Sequence, residues 1–325
     1  AIVAQRLGDR VRHWMTINEP QVYIGLGHRD GTHAPGLRLP TRQWLLAGHH
    51  TLLAHGRGVQ AIRANAPEKP TVGWAVVARV EYPATDSPED IAAARASTMS
   101  VVSRDTWSNT WWADPAILGR YPEDGLALFG ADAPRFTQAE MDTIRQPLDF
   151  YGVNIYAGEP VKAGPDGRPV NAGWAPGNPM TTFRWNIAPP ALQWGPRFIA
   201  ERYKLPVVVT ENGMANADWV HADGRVHDPQ RIDFTRAYLL ELAKACRAGA
   251  DIRGYFHWSI LDNFEWAEGY RERFGLVHVD FATGTRTLKD SARWYRGVIA
   301  SNGASLDSRP ASEVEPLPLP TEALR

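Results

Sequence analysis

Two hydrophobic periods alternate along the chain: short apolar runs that repeat every second residue, as in strands, and longer segments with apolar positions three or four apart, as in helices. Residues 1–9 read as the end of a helix, with Ile2, Val3 and Leu7 on one face and Gly8 and Asp9 after them. Val11 to Ile17 predicts a strand that runs into Asn18, Glu19 and Pro20, where proline cannot donate to the ladder. Beyond a glycine-rich loop at 25–36, Trp44, Leu45, Leu52 and Val59 mark an amphipathic helix over 41–65. Thr71 to Val77 is the second predicted strand. Ser87, Pro88, Glu89 and Asp90 open a helix predicted over 88–108, followed by a loop with Trp111 and Trp112. Leu148 to Tyr156 reads as the third strand, and the Gly- and Pro-rich stretch 157–190 as a long loop overhanging a site. A helix over 191–203 leads to Pro206 to Thr210, an unbroken apolar run of the buried parallel type. A helix at 229–247, a strand from Ile252 to Trp258 and a helix at 289–300 complete the series.

Strands alternating with helices predict a parallel α/β sheet, the class in which function sits at the carboxyl ends of the strands. Glu19, Asn154, Tyr156, Glu211 and the loop after Trp258 all fall there. The expected organisation is a single domain over residues 1–302 and an extended tail over 303–325.

Composition narrows the partners. A formal net charge of -1 with no basic cluster argues against nucleic acid and anionic membranes. No stretch is apolar for long enough to span a bilayer, and the first residues lack the pattern of a signal peptide. The lone cysteine, Cys246, rules out a disulfide within the chain and fits a reducing compartment, so a cytoplasmic location is expected. Cys246 itself reads as an inert core thiol on an amphipathic helix. His49, His50 and His55 share the long helix, but 50 and 55 are not on one face, which favours structural histidines over a metal site. No metal or cofactor is expected. Trp107, Trp111 and Trp112 read as packing.

The candidate chemistry lies in carboxylates beside indoles. Between Arg253 and Asp280 the strand gives way to a loop with Asp262, Glu265, Trp266, Glu268 and Tyr270, too polar for a core. Carboxylates accept hydrogen bonds from hydroxyl pairs and a Trp face covers an apolar ring side, so this loop suits a sugar. Glu19 and Glu211, at the ends of different strands, suit glycoside hydrolysis, in which one carboxyl is acid/base and the other nucleophile or general base. Asn18 offers an amide donor beside Glu19, and Tyr156 offers a hydroxyl that can hold a nucleophile ionised.

Four runs carry a more specific signal: Thr16 to Pro20 (TINEP), Asn154 to Tyr156 (NIY), Val209 to Gly213 (VTENG) and Trp258 to Trp266 (WSILDNFEW). In this order they resemble the signatures of the family 1 glycoside hydrolases, the β-glucosidase family, and the resemblance covers residues 1 to about 302. It implies a (β/α)8 TIM barrel, here incomplete, with about the last five βα units present. It also implies a retaining reaction on small-molecule or oligosaccharide β-glycosides, with Glu19 as acid/base and Glu211 as nucleophile. By the same resemblance Asn18 contacts the sugar 2-hydroxyl, Tyr156 contacts the nucleophile with Asn154 nearby, and Glu265 with Trp266 binds the distal hydroxyls. Trp258 forms the floor, Phe274 lines that wall and Trp185 faces the aglycone. The family's 6-phosphoglycosidases lack a glutamate at the position of Glu265 and its plant thioglucosidases replace the acid by glutamine, so unphosphorylated O-glycosides are expected. The three units expected to be absent carry a glutamine, a histidine-tryptophan pair and an arginine beside the nucleophile. Their absence predicts a strand edge open to self-association. It also leaves a second reading, an impaired sugar-binding or assembly-dependent fragment. A binding-only module of another α/β fold is a third, opposed by the intact glutamates and their neighbours.

Overall fold

The computed structural model describes residues 1–306. Five strands, β1 (His13–Asn18), β2 (Thr71–Val77), β3 (Tyr151–Asn154), β4 (Val207–Asn212) and β5 (Ile252–His257), form one sheet in chain order with every neighbouring pair parallel. The main connecting helices are α1 (Thr41–Asn65), α2 (Pro88–Thr98), α3 (Ala191–Tyr203) and α4 (Pro229–Arg247), and α5 (Asp290–Ala300) follows β5. Parallel strands need such crossovers, and the helices bury the outer face of the sheet. Leu52 and Val59 of α1, Leu192 and Ile199 of α3, and Phe234 and Tyr238 of α4 join Val72, Trp74, Val153, Val207 and Val209 in one core.

This is a partial (β/α)8 barrel with five strand-helix units, as expected. Among the described residues β1 and β5 are each paired on one side only. Thr16 bonds His55 of α1, and Tyr255 and His257 contact Tyr295 of α5, so these side chains face the helices. Strand alternation then turns Met15 and Phe256 to the concave side. There they are 54% and 62% exposed, large apolar groups on the two free edges.

A buried charge network holds the loops after β4 and β5. Lys289 Nζ donates to Asp218 at 2.5 Å and to Asp262 at 2.8 Å, and Arg231 donates to Asp218 at 2.6 Å and to Asp228. All five of these side chains are fully buried. Arg273 adds a 2.6 Å bond to Asp262, whose other oxygen accepts the Gly275 N–H. Burial pushes the Asp218 carboxyl up, but Arg231 and Lys289 outweigh it and hold it below the ordinary aspartate range. The network therefore pins Asp262, three residues before Glu265.

Several local expectations change. The helix expected over 88–108 ends at Thr98, because the Asn109 side-chain amide takes the Thr98 carbonyl and Asp124 takes the Val101 N–H. The loop expected around Trp111 and Trp112 is a short helix, Asn109–Ala113, buried throughout; Trp111 packs on Tyr121 and Phe129, so the packing role of these two indoles stands. The loop at 157–190 contains strands Glu159–Ala163 and Pro169–Asn171, which form a small sheet with Glu81–Pro83. Cys246 is exposed, on the solvent side of α4, and is not a core thiol. Two of the long-helix histidines have structural partners, His55 bonding Thr16 and His49 the Tyr121 hydroxyl, whereas His50 is exposed. Of the expected tail, Ala304–Leu306 forms a 3-10 turn, and residues 307–325 lie outside the described residues.

Removing one member of a buried ion network strands its partners without water. Lys289→Met is expected to cost about 3 kcal/mol of folding stability, read from the urea midpoint; an unchanged midpoint would show that the network does not hold these loops.

Candidate active site

The carboxyl ends of β1, β3, β4 and β5 bring the expected residues together. Glu19 follows β1 with φ 45° and ψ 60°, a left-handed conformation that costs a non-glycine residue about 1 kcal/mol or more. Pro20, expected to stop the strand, also starts the short helix Pro20–Ile24, so the chain turns away directly behind the Glu19 side chain. From β3, Asn154 Nδ2 donates to Glu19 Oε1 at 2.7 Å and to Asn18 Oδ1 at 3.2 Å.

Glu211 owes its place to a bulge. Val153 of β3 is level with Val209 and Asn154 with Glu211, so β4 spends one residue more than its neighbour. The pairing of β4 with β5 shifts over the same stretch. A bulge re-aims side chains, and here two consecutive ones, Thr210 and Glu211, reach groups from β3 and the segment after it. Tyr156 donates its hydroxyl to Glu211 Oε2 at 2.5 Å, and Thr210 donates to Asn154 Oδ1 at 2.5 Å. Tyr238 of α4 donates to the Tyr156 carbonyl at 3.0 Å and fixes that segment from behind. Gly213 keeps the ends of β4 and β5 close: a Cβ there would lie 2.0 Å from the Trp258 carbonyl oxygen.

The walls are aromatic. Tyr156, Trp185, Phe183 and Phe274 form a cluster with ring centroids 4.4 to 6.1 Å apart. Thr182 donates to the buried Glu272 at 2.6 Å, tying the Trp185 segment to the loop after β5. The Trp258 side chain donates toward Glu265. Trp266 is 64% exposed, with one face near His33 at 6.1 Å. Phe183, Thr210 and Tyr238 are site residues that the sequence pattern does not single out. Phe183 lies two residues from Trp185 and Thr210 inside a quoted motif, whereas Tyr238 looks like any apolar position of its helix.

Electrostatics set these carboxyls apart from ordinary ones. Burial pushes Glu19 up, and the Asn154 amide pulls it back in part. Glu211 is pushed up to about 7 by burial and then by the Glu19 charge, against the pull of Tyr156 and Asn154. Glu265 also rises to about 7, through burial first and the Glu19 charge second. The ion pairs of the described residues bring no cation to these three glutamates. No group of three or more His, Cys, Asp or Glu among the described residues is arranged to hold a metal ion.

With this geometry in place, the relatives are informative. The sequence model of Glycosyl hydrolase family 1 matches residues 1–304. Beta-glucosidase A of Thermotoga maritima is 38% identical over 304 residues, covering 93% of this chain and 66% of the relative. Beta-glucosidase A of Acetivibrio thermocellus is 37% identical over 311 residues, covering 93% and 67%. The solved Thermotoga maritima beta-glucosidase in complex with glucoimidazole superposes with a TM-score of 0.80 at 38% identity, over 93% of this chain and 67% of that one. The same enzyme has been solved with castanospermine. The chain belongs to glycosyl hydrolase family 1. It spans about two thirds of the length of the relatives it matches.

A carboxyl raised by folding is stabilising while protonated, and that contribution disappears as pH climbs from its unfolded value through its folded value. For Glu265 the window runs from 4.5 to about 7. Glu265→Gln should therefore match the parent near pH 4 and melt a few degrees higher at pH 8. A melting difference independent of pH would contradict the raised carboxyl.

Proposed function

We propose that this chain carries the catalytic half-site of a retaining β-glycosidase acting on unphosphorylated β-glucosides or related β-glycosides. The observation that carries the reading is a coupled pair of carboxyls on strands separated in the sheet: Glu19 held by Asn154, and Glu211 held by Tyr156 and raised by the Glu19 charge. Family membership supports the stereochemical assignment.

Glu19, raised by burial, is the proton donor. Its proton passes to the glycosidic oxygen as the C1–O bond breaks, while a Glu211 oxygen bonds to C1 and forms a glycosyl ester. Water then attacks C1 and gives its proton to Glu19, and the ester bond breaks to free Glu211. Tyr156 holds Glu211 in line and favours its ionised form. Glu265 and Trp266 bind the distal hydroxyls, Asn18 the 2-hydroxyl, Trp258 the sugar face, with Phe274 beside it and Trp185 toward the aglycone.

A second reading is favoured by β1 and β5 each being paired on one side only, and by no cation acting on Glu211, among the described residues: the chain binds sugar but turns over only when another polypeptide, such as a second copy, completes the sheet. Among the described residues no helix is long and apolar enough to cross a membrane.

Hydrolysis of a chromogenic β-glucoside by the parent, Glu19→Gln and Glu211→Ala at several protein concentrations separates these readings. The first predicts turnover proportional to protein, lowered about 100-fold or more in Glu19→Gln and to background in Glu211→Ala. Turnover rising more steeply than protein concentration supports completion by a second copy, and equal turnover in all three removes the assigned pair.

A further inference from the structure

Thr210 is the extra residue of the β4 bulge, and its hydroxyl is the one donor among the described residues that reaches Asn154 Oδ1. An asparagine amide has two distinct ends, an oxygen that only accepts and a nitrogen that only donates. With its oxygen taken by Thr210 at 2.5 Å, the Asn154 nitrogen must face the other way, toward Glu19 Oε1 at 2.7 Å and Asn18 Oδ1 at 3.2 Å. Asn18 is oriented in turn: its oxygen is occupied, so its own nitrogen is left for the exposed side of the site. Turning the Asn154 amide over would set its oxygen against two acceptors and leave the Thr210 hydroxyl hydrogen without a partner.

We propose that Thr210 is a positioning residue that selects the orientation of the Asn154 amide, and through it presents a hydrogen-bond donor to Glu19 and turns the Asn18 amide toward substrate. The consequence for turnover rests on the reading of Glu19 as acid/base; the orientation of the amides does not. The side chain is suited to a clean test. Its methyl lies against Gly152, where a Cβ would meet it at 3.0 Å, so valine keeps the shape and removes the hydroxyl alone. Serine keeps the hydroxyl and removes the methyl.

The groups facing Glu19 are Glu211 from β4, Glu265 from the loop after β5 and Tyr156 from the segment after β3. All three are unchanged in these variants. The experiment is a carboxyl titration by carbon-13 NMR on protein labelled at the glutamate δ-carbon, with Glu19→Gln and Glu211→Gln used to assign the two signals. Thr210→Val should raise the Glu19 midpoint by about one pH unit, with Glu211 moving the same way, since Asn154 draws both carboxyls down. Thr210→Ser should titrate like the parent. A Glu19 midpoint unmoved by Thr210→Val, or moved equally by Thr210→Ser, overturns the proposal. Turnover separates the two readings: an inactive chain whose Glu19 still shifts refutes the glycosidase reading alone, whereas an active chain without the shift refutes Thr210 alone. In an active chain, Thr210→Val also carries the alkaline limb of kcat upward by the same amount.

Discussion

Carboxyls that share a poorly solvated space cannot all be charged near neutral pH unless a cation or a set of donors compensates them. Glu19, Glu211 and Glu265 stand under that constraint, and each raises or is raised by another. The compensation is made by neutral donors: the Asn154 amide toward Glu19, the Tyr156 hydroxyl on Glu211 and the Trp258 side chain toward Glu265. Neutral donors stabilise a carboxylate without neutralising it, so Glu211 and Glu265 stay near 7. The site is thereby able to exchange protons near neutral pH, as the proposed reaction requires.

The fold supplies this arrangement through strand ends rather than through a loop scaffold. Parallel strands buried by their crossover helices leave only their carboxyl ends free for chemistry. Each strand end then adds a local device: a left-handed residue after β1, a bulge in β4, a glycine that lets β5 approach. Farther out, the ion network around Lys289 fixes the root of the loop that bears Glu265 and Trp266. Among the described residues, Met15 and Phe256 stand exposed on the concave side between β1 and β5.

Much of this was legible in the sequence because periodicity and punctuation agreed. Thr71–Val77 is an apolar run with a clear start and stop, and Pro229–Arg247 opens on proline and keeps a helical stripe, so both elements match the expected bounds. The site motifs fall at strand ends as expected, and the structure links Asn154 to Asn18 and Glu19, and Tyr156 to Glu211, by hydrogen bonds. What escaped depends on partners distant in sequence. The end of α2 is set by Asn109 and Asp124, not by a local breaker. Arg231 and Lys289 look like surface cations until folding surrounds them with Asp218, Asp228 and Asp262. The exposure of Cys246 is not legible in the sequence, because a small residue on an amphipathic helix does not declare its face. The role of Thr210 needs the bulge, which no two-residue period reveals.

The central claim is that Glu211 is the group that bonds to the sugar. A 2-deoxy-2-fluoro β-glucoside with a good leaving group slows release of the glycosyl ester and leaves the sugar on its nucleophile. Peptide mass spectrometry after incubation should locate the fluorosugar on Glu211 and find none in Glu211→Ala. Labelling of another residue, or an unlabelled protein that nevertheless hydrolyses β-glucosides, would contradict the account.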